Sequence, residues 1–186
     1  MNKIATIAGL AVAASAMTAS ADVLLLVDLS VADTITISAT DGVSSADGSA
    51  SNFTGFLLAG FYNTLGAGIA DTSVSGDLST AANASDGSAD IFNGGSSFGL
   101  NVWSVSTDST LGVTAGATAF AGSTTWTVSA ADYAELLAGN MSGDIIFGAD
   151  TDDDDGVNIG TWAIVPAPGS LALLGLGGIA AGRRRR

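Results

Sequence analysis

Residues 22–165 of this 186-residue chain are predicted to form an all-β domain, a β-sandwich or jelly roll with one short helix, on three observations. Apolar and hydroxyl residues alternate at Thr34-Ile35-Thr36-Ile37-Ser38 and at Thr125-Trp126-Thr127-Val128-Ser129, so each stretch sets one kind on each face of a half-buried strand. More continuous apolar runs over residues 23–31, 53–62, 100–105, 144–147 and 159–165 fit strands buried more deeply. Turn dipeptides separate them, with Asp-Gly at 41–42, 47–48, 86–87 and 155–156 and Asn-Gly at 93–94.

The helix is the stretch SAADYAELLAG over residues 129–139. Ser129 can cap it, Asp132 complements its positive amino end, and Gly139 is expected to supply a left-handed stop. Residues 66–97 are rich in Ser, Ala, Gly and Asp and show little periodicity. They are too long for an ordinary loop, so either a short strand near residues 72–78 or a surface loop is expected there.

Charge is distributed in an unusual way. The five basic residues are Lys3 and Arg183, Arg184, Arg185 and Arg186, while all 18 acidic residues lie between them. Residues 22–165 therefore hold no cation to pair with a carboxylate. The chain has no His and no Cys, which excludes imidazole bases, thiol nucleophiles, disulfides and nitrogen- or sulfur-ligated metals. Nucleic acid is excluded as a partner, because its affinity depends on Lys and Arg neutralising phosphate. All 12 aromatic residues lie between Phe53 and Trp162, enough for a core, so the acidic domain should fold.

The first 21 residues open with Lys3, continue through an apolar stretch over residues 4–17 and end in small residues at Ala19 and Ala21. This is the pattern of a secretory signal peptide, read by the secretion machinery and cleaved after Ala21. At the other end, Val165-Pro166-Ala167-Pro168 precedes an apolar run over residues 171–182 and the four terminal arginines. Those arginines obey the positive-inside rule, so the C-terminus stays cytoplasmic while residues 22–165 face outward. Twelve residues reach about 18 Å as a helix, against a hydrocarbon core of about 30 Å. The segment is thus a short C-terminal hydrophobic helix inserted only transiently in the inner membrane.

This order of elements over residues 165–186 resembles the PEP-CTERM sorting signal, with Ala167 standing where that family has Glu. The resemblance implies recognition by an exosortase, a membrane-embedded protease or transpeptidase, and loss of the tail on processing. It also implies a cell-surface or extracellular setting in Gram-negative bacteria that make exopolysaccharide, with extracellular polysaccharide as a partner. The expected domain plan is therefore signal peptide 1–21, acidic β domain 22–165 and sorting tail 166–186.

No catalytic residues are assigned, and a non-enzymatic surface or matrix protein is the expectation. Asp150, Asp152 and Asp154 lie in a run of carboxylates that a Ca²⁺ ion would relieve, although Asp155 and Thr161 occupy the positions where an EF-hand has Gly and Glu. The same stretch also reads as a solvated hairpin loop between strands around Ile146 and Ile159. Asp132 and Glu135 share a helix face, which a glycoside hydrolase could use as an acid/base pair but which more simply is the helix's wet side. Trp103, Trp126 and Trp162 could stack on sugar rings in a carbohydrate-binding module, or lie in the core. Asn-X-Ser/Thr triplets at Asn52, Asn83 and Asn140 are expected from composition alone.

Overall fold

The computed structural model describes residues 22–51, 55–63, 69–83, 90–93, 98–103, 110–148 and 156–165. The signal peptide with Ala19 and Ala21, the carboxylates Asp150, Asp152 and Asp154, and the tail beyond Val165 lie outside these residues. In chain order the elements are β1 (Val23–Asp28), β2 (Thr34–Ala39), β3 (Gly48–Ser51), β4 (Phe56–Leu58), β5 (Ile69–Ala70), β6 (Ser73–Gly76) and β7 (Ser79–Thr80). They continue with β8 (Asp90–Asn93), β9 (Leu100–Trp103), β10 (Thr110–Val113), β11 (Phe120–Ala121), β12 (Ser123–Thr127), α1 (Ala130–Leu137), β13 (Ser142–Phe147) and β14 (Val157–Ile164). The all-β expectation holds.

Ten strands hydrogen-bond in the order β5-β8-β9-β4-β13-β14-β1-β2-β12-β6, and two ribbons, β3–β10 and β7–β11, stand apart from them. The layers are thus one continuous curled sheet with two ribbons, where the sequence suggested two separately bonded sheets. A twisted open sheet near ten strands curls, and the ribbons help fill its hollow. Leu111, Val113, Ala50 and Phe120 from the ribbons join the same core as the sheet's inward side chains. Phe120 on β11 lies 4.9 Å from Phe56 and 6.4 Å from Phe147, ring centre to ring centre.

The alternation at β2 and β12 works as its sequence implies. Ile35, Ile37 and Trp126 are buried, while the outward hydroxyls pair across the strands: Thr36 Oγ1 lies 2.8 Å from Thr125 Oγ1, and Ser38 Oγ lies 2.8 Å from Ser123 Oγ. Such directly opposed hydroxyl pairs are one of the favourable cross-strand combinations. β6 is the strand expected near residues 72–78, paired along β12. Strands β3, β5, β7, β8, β10 and β11 escaped the sequence reading, because two to four residues carry too few alternations to register a period.

Leu24 and Leu25 are adjacent and both buried, which regular alternation forbids. A register irregularity in β1 between Val23 and Leu25 resolves this. Gly160, at φ +157°, makes room: a Cβ there would lie 2.6 Å from Leu24 Cδ1. At α1, Ser129 caps the helix as expected, accepting from Asp132 N–H at 3.2 Å. The left-handed stop at Gly139 is not formed. Ala138 ends the helix in the right-handed region, and Gly139 is required for closeness instead, since a Cβ would lie 2.6 Å from the Phe61 carbonyl oxygen.

With no Lys or Arg in the domain, carboxylates turn to backbone amides. Asp28 accepts from Ser30 N–H at 2.8 Å, Asp47 from Ala115 at 2.9 Å, Asp77 from Ser123 at 3.1 Å and Asp71 from Ile91 at 3.3 Å. Asp90 is pushed up from the ordinary carboxylate range, by partial burial first and by the neighbouring Asp71 second. A raised carboxyl favours the folded state fully below its unfolded value of 3.8, and this contribution disappears as pH rises through the folded value. Asp90→Asn is therefore expected to stabilise the chain slightly at pH 7, by a few tenths of a kcal/mol after solvent screening, with the gain vanishing near pH 3. Thermal melts at the two pH values check this; an equal gain at both would remove the electrostatic cause.

Asn101, at 1 % exposure on β9, has neither amide atom hydrogen-bonded. It sits between Leu57 and Phe92 in register, offset from the core residues Leu100 and Val102 on either side. An unpaired buried amide costs about 1–3 kcal/mol. Asn101→Leu keeps the branching at Cγ, is somewhat bulkier and removes the unpaired amide, and is accordingly expected to raise stability by about 1 kcal/mol. A lower denaturant midpoint in the variant would contradict that.

Candidate functional site at the C-terminal exit

The first and last strands of the domain lie side by side. β1 and β14 form the parallel pair, with Val23 opposite Thr161 and Val27 opposite Ile164. Asp22 and Val165 therefore leave from opposite ends of the sheet. Val165 N–H donates to Val27 O at 2.8 Å, and Ile164 N–H donates to Met141 O at 2.8 Å. Proline has no N–H to give, so Pro166 cannot repeat the bond that Ile164 makes toward the β13 side. Among the described residues, pairing reaches Val165, the first residue of Val165-Pro166-Ala167-Pro168, with no linker between sheet and motif.

The helix α1 crosses the end of the sheet from which the tail departs. Val128, just before it, donates to Asp33 O at 3.0 Å, and Tyr133 Oη donates to Leu29 O at 2.5 Å. Past its far end, Asn140 N–H donates to Phe61 O at 2.8 Å and its Nδ2 to Gly60 O at 2.6 Å. Asn63 Nδ2 donates to Ala138 O at 2.5 Å. These bonds tie α1 to the β1–β2 turn on one side and to the segment following β4 on the other.

Asp132 and Glu135 do share a side of α1, as their spacing implies, yet that side is not the wet one. Both are half-buried, while Ala130, Ala134, Leu137 and Ala138, at helical spacing, are exposed. The two carboxylates bear on Tyr62, whose hydroxyl is buried with no hydrogen-bond partner. Burial pushes the Tyr62 phenol up strongly, and the nearby Glu135 and Asp132 push it further. Tyr62 stays neutral at any physiological pH.

The other sequence candidates fall in separate places. Trp126 and Trp162 are fully buried, so neither can stack on a sugar; the side chain of Trp103 lies outside the description. Trp162 stacks on Phe61 at 4.9 Å and donates from Nε1 to Ala59 O at 3.2 Å. Asn83 is a structural acceptor, taking Thr80 Oγ1 at 2.9 Å and Gly112 N–H at 3.1 Å. Asn52 is outside the described residues. β13 and β14 pair antiparallel with Phe147 opposite Val157, so the acidic stretch joins two bonded strands as the hairpin expectation has it. Among the described residues no group of acidic side chains is arranged to hold a metal. A surface cavity of about 420 Å³ is bounded by Thr40, Asp41, Thr118 and Phe120 and holds one carboxylate. No described helix is long and apolar enough to cross a membrane.

No curated protein and no solved structure matches this chain significantly. Its last 22 residues do match a family model: residues 165–186 carry the PEP-CTERM protein-sorting motif, which implies export and processing by an exosortase-type enzyme.

Proposed function

We propose that the chain is a non-enzymatic, acidic β protein of the cell surface or extracellular matrix, held in the inner membrane by its tail until an exosortase-type enzyme releases it. The observation that carries this is the junction at Val165, where the hydrogen bonding of the described sheet reaches the first residue of the sorting motif. Cleavage just beyond it frees the complete domain and discards only the address. Composition supports the non-enzymatic role, since a chain without His or Cys, and without Lys or Arg over residues 4–182, has few ways to activate a nucleophile or stabilise an anion. The burial of Trp126 and Trp162 argues against a carbohydrate-binding module built on these indoles, and the placement of Asp132 and Glu135 beside Tyr62 argues against a hydrolase.

Mass spectrometry of the protein released by its host tests the reading. The mature species should begin at Asp22 and lack all four arginines. Released material that retains Arg186 overturns it.

A further inference from the structure

Several large apolar side chains that the fold leaves in water gather where the tail departs. Val31 is 63 % exposed, Met141 60 %, Leu137 57 %, Phe98 44 % and Val165 38 %. Hydrogen bonds place them together. Met141 O and Val27 O hold Ile164 and Val165, Val31 lies in the turn that follows β1, and Leu137 ends the helix that crosses this turn. Phe98 O accepts from Tyr62 N–H at 2.7 Å, beside the Phe61 carbonyl that receives Asn140. The exposed alanines of α1, Ala130, Ala134 and Ala138, extend the same surface. The opposite end of the domain is different. There the exposed apolar side chains are three valines: Val23 at the start of β1, Val43, whose N–H donates to the Asp22 carboxylate, and Val157, adjoining the acidic stretch.

The length of the chain beyond the sheet decides what this surface meets. Residues 166–170 span at most about 18 Å fully extended, and the apolar segment begins at Leu171. The polar headgroup layer takes up roughly 5–8 Å of that. The exit end of the domain is thus leashed against the bilayer that receives its own tail. That tail is short by about 12 Å of helix for a 30 Å hydrocarbon core. A segment too short for its bilayer is accommodated by drawing flanking groups into the interface, and an apolar domain end supplies such groups.

We infer that the exit end of the domain, presented by Val31, Phe98, Leu137 and Met141, is a lipid-contact surface that seats on the outer face of the inner membrane while the tail is inserted. This rests on the membrane-inserted reading of the tail. Seating the end in the interface compensates for the short apolar segment and sets Pro166 and Pro168 at headgroup depth, where a membrane-embedded enzyme can reach them. The acidic groups at this end are Asp28, Asp33, Asp132 and Glu135; of these Asp33 is exposed and the others half-buried. Electrically neutral lipid is therefore favoured over anionic lipid.

The chain has no cysteine, so single cysteines can report depth without background. The full chain is reconstituted in phosphatidylcholine–phosphatidylethanolamine vesicles carrying nitroxide-labelled lipid, with an environment-sensitive fluorophore at Leu137→Cys, Met141→Cys, Val43→Cys, Val157→Cys or Ala172→Cys. The expected result is lipid-borne quenching at 137 and 141 approaching that at 172, with 43 and 157 remaining at their aqueous values. Quenching at 172 with 137 and 141 no different from 43 and 157 overturns the lipid contact and leaves the inserted tail standing. No quenching at 172 overturns the inserted tail itself. A blue shift at 137 and 141 that grows with protein concentration, without lipid-borne quenching, assigns the surface to a second copy of the chain and likewise overturns the proposal.

Discussion

Trp162→Ala is expected to lower the unfolding free energy by about 3–5 kcal/mol, the usual cost of emptying a large aromatic site. The indole is fully buried, stacks on Phe61 with ring planes 27° apart and donates to the Ala59 carbonyl. A domain of this size has only about 5–15 kcal/mol to lose, so the melting temperature should fall by roughly 10–20 °C. Gly143 tests the same cluster from the other side. It faces Trp162 across β13 and β14, and a Cβ there would lie 2.7 Å from Trp162 Nε1 and 2.3 Å from Ala59 O. Gly143→Ala should therefore be strongly destabilising too, and less so in the Trp162→Ala background, because part of its clash has gone. Circular-dichroism melts of the full chain measure both. A loss below about 1 kcal/mol for Trp162→Ala would mean the ring is not packed as described.

The second large effect is on sorting. Replacing Arg183, Arg184, Arg185 and Arg186 by Gln should abolish retention and processing of the tail. Each arginine costs about 2.5–3.5 kcal/mol at the middle of a membrane helix, so four together oppose translocation by roughly 10 kcal/mol or more. Without them, the interrupted apolar segment, with glycines at 175, 177, 178 and 182, has little to hold it. The variant should appear outside the cell with residues 165–186 still attached, seen as added mass relative to the parent. Normal trimming of the variant would show that the basic cluster does not stop the chain, and that the enzyme reads the Pro pair alone.

The long or strongly alternating strands were legible in the sequence because each buries enough side chains to impose a period. β2 and β12 show it through Ile35, Ile37 and Trp126 on one face and paired hydroxyls on the other. The bulge at Leu24 was not legible, since it depends on Gly160, more than a hundred residues away. Neither was the orientation of α1. Its composition suggested that Asp132 and Glu135 face water, whereas the contacts of Tyr133 and Leu136 with the core turn the alanines and Leu137 outward.

The sequence alone determined the address and the electrostatics of this protein. A sorting motif is read as a linear segment, and the lack of any cation across residues 4–182 is a matter of composition that no fold can alter. Tertiary structure alone decided where that address is attached. Only the parallel pairing of the first strand with the last carries the sheet up to Val165, and only α1 laid across that end brings Val31, Leu137 and Met141 near it. The physical reason is distance along the chain: the pairing of β1 with β14 and the bond from Tyr133 to Leu29 join residues more than a hundred positions apart, and a local pattern carries no information about which remote strand will supply the partner.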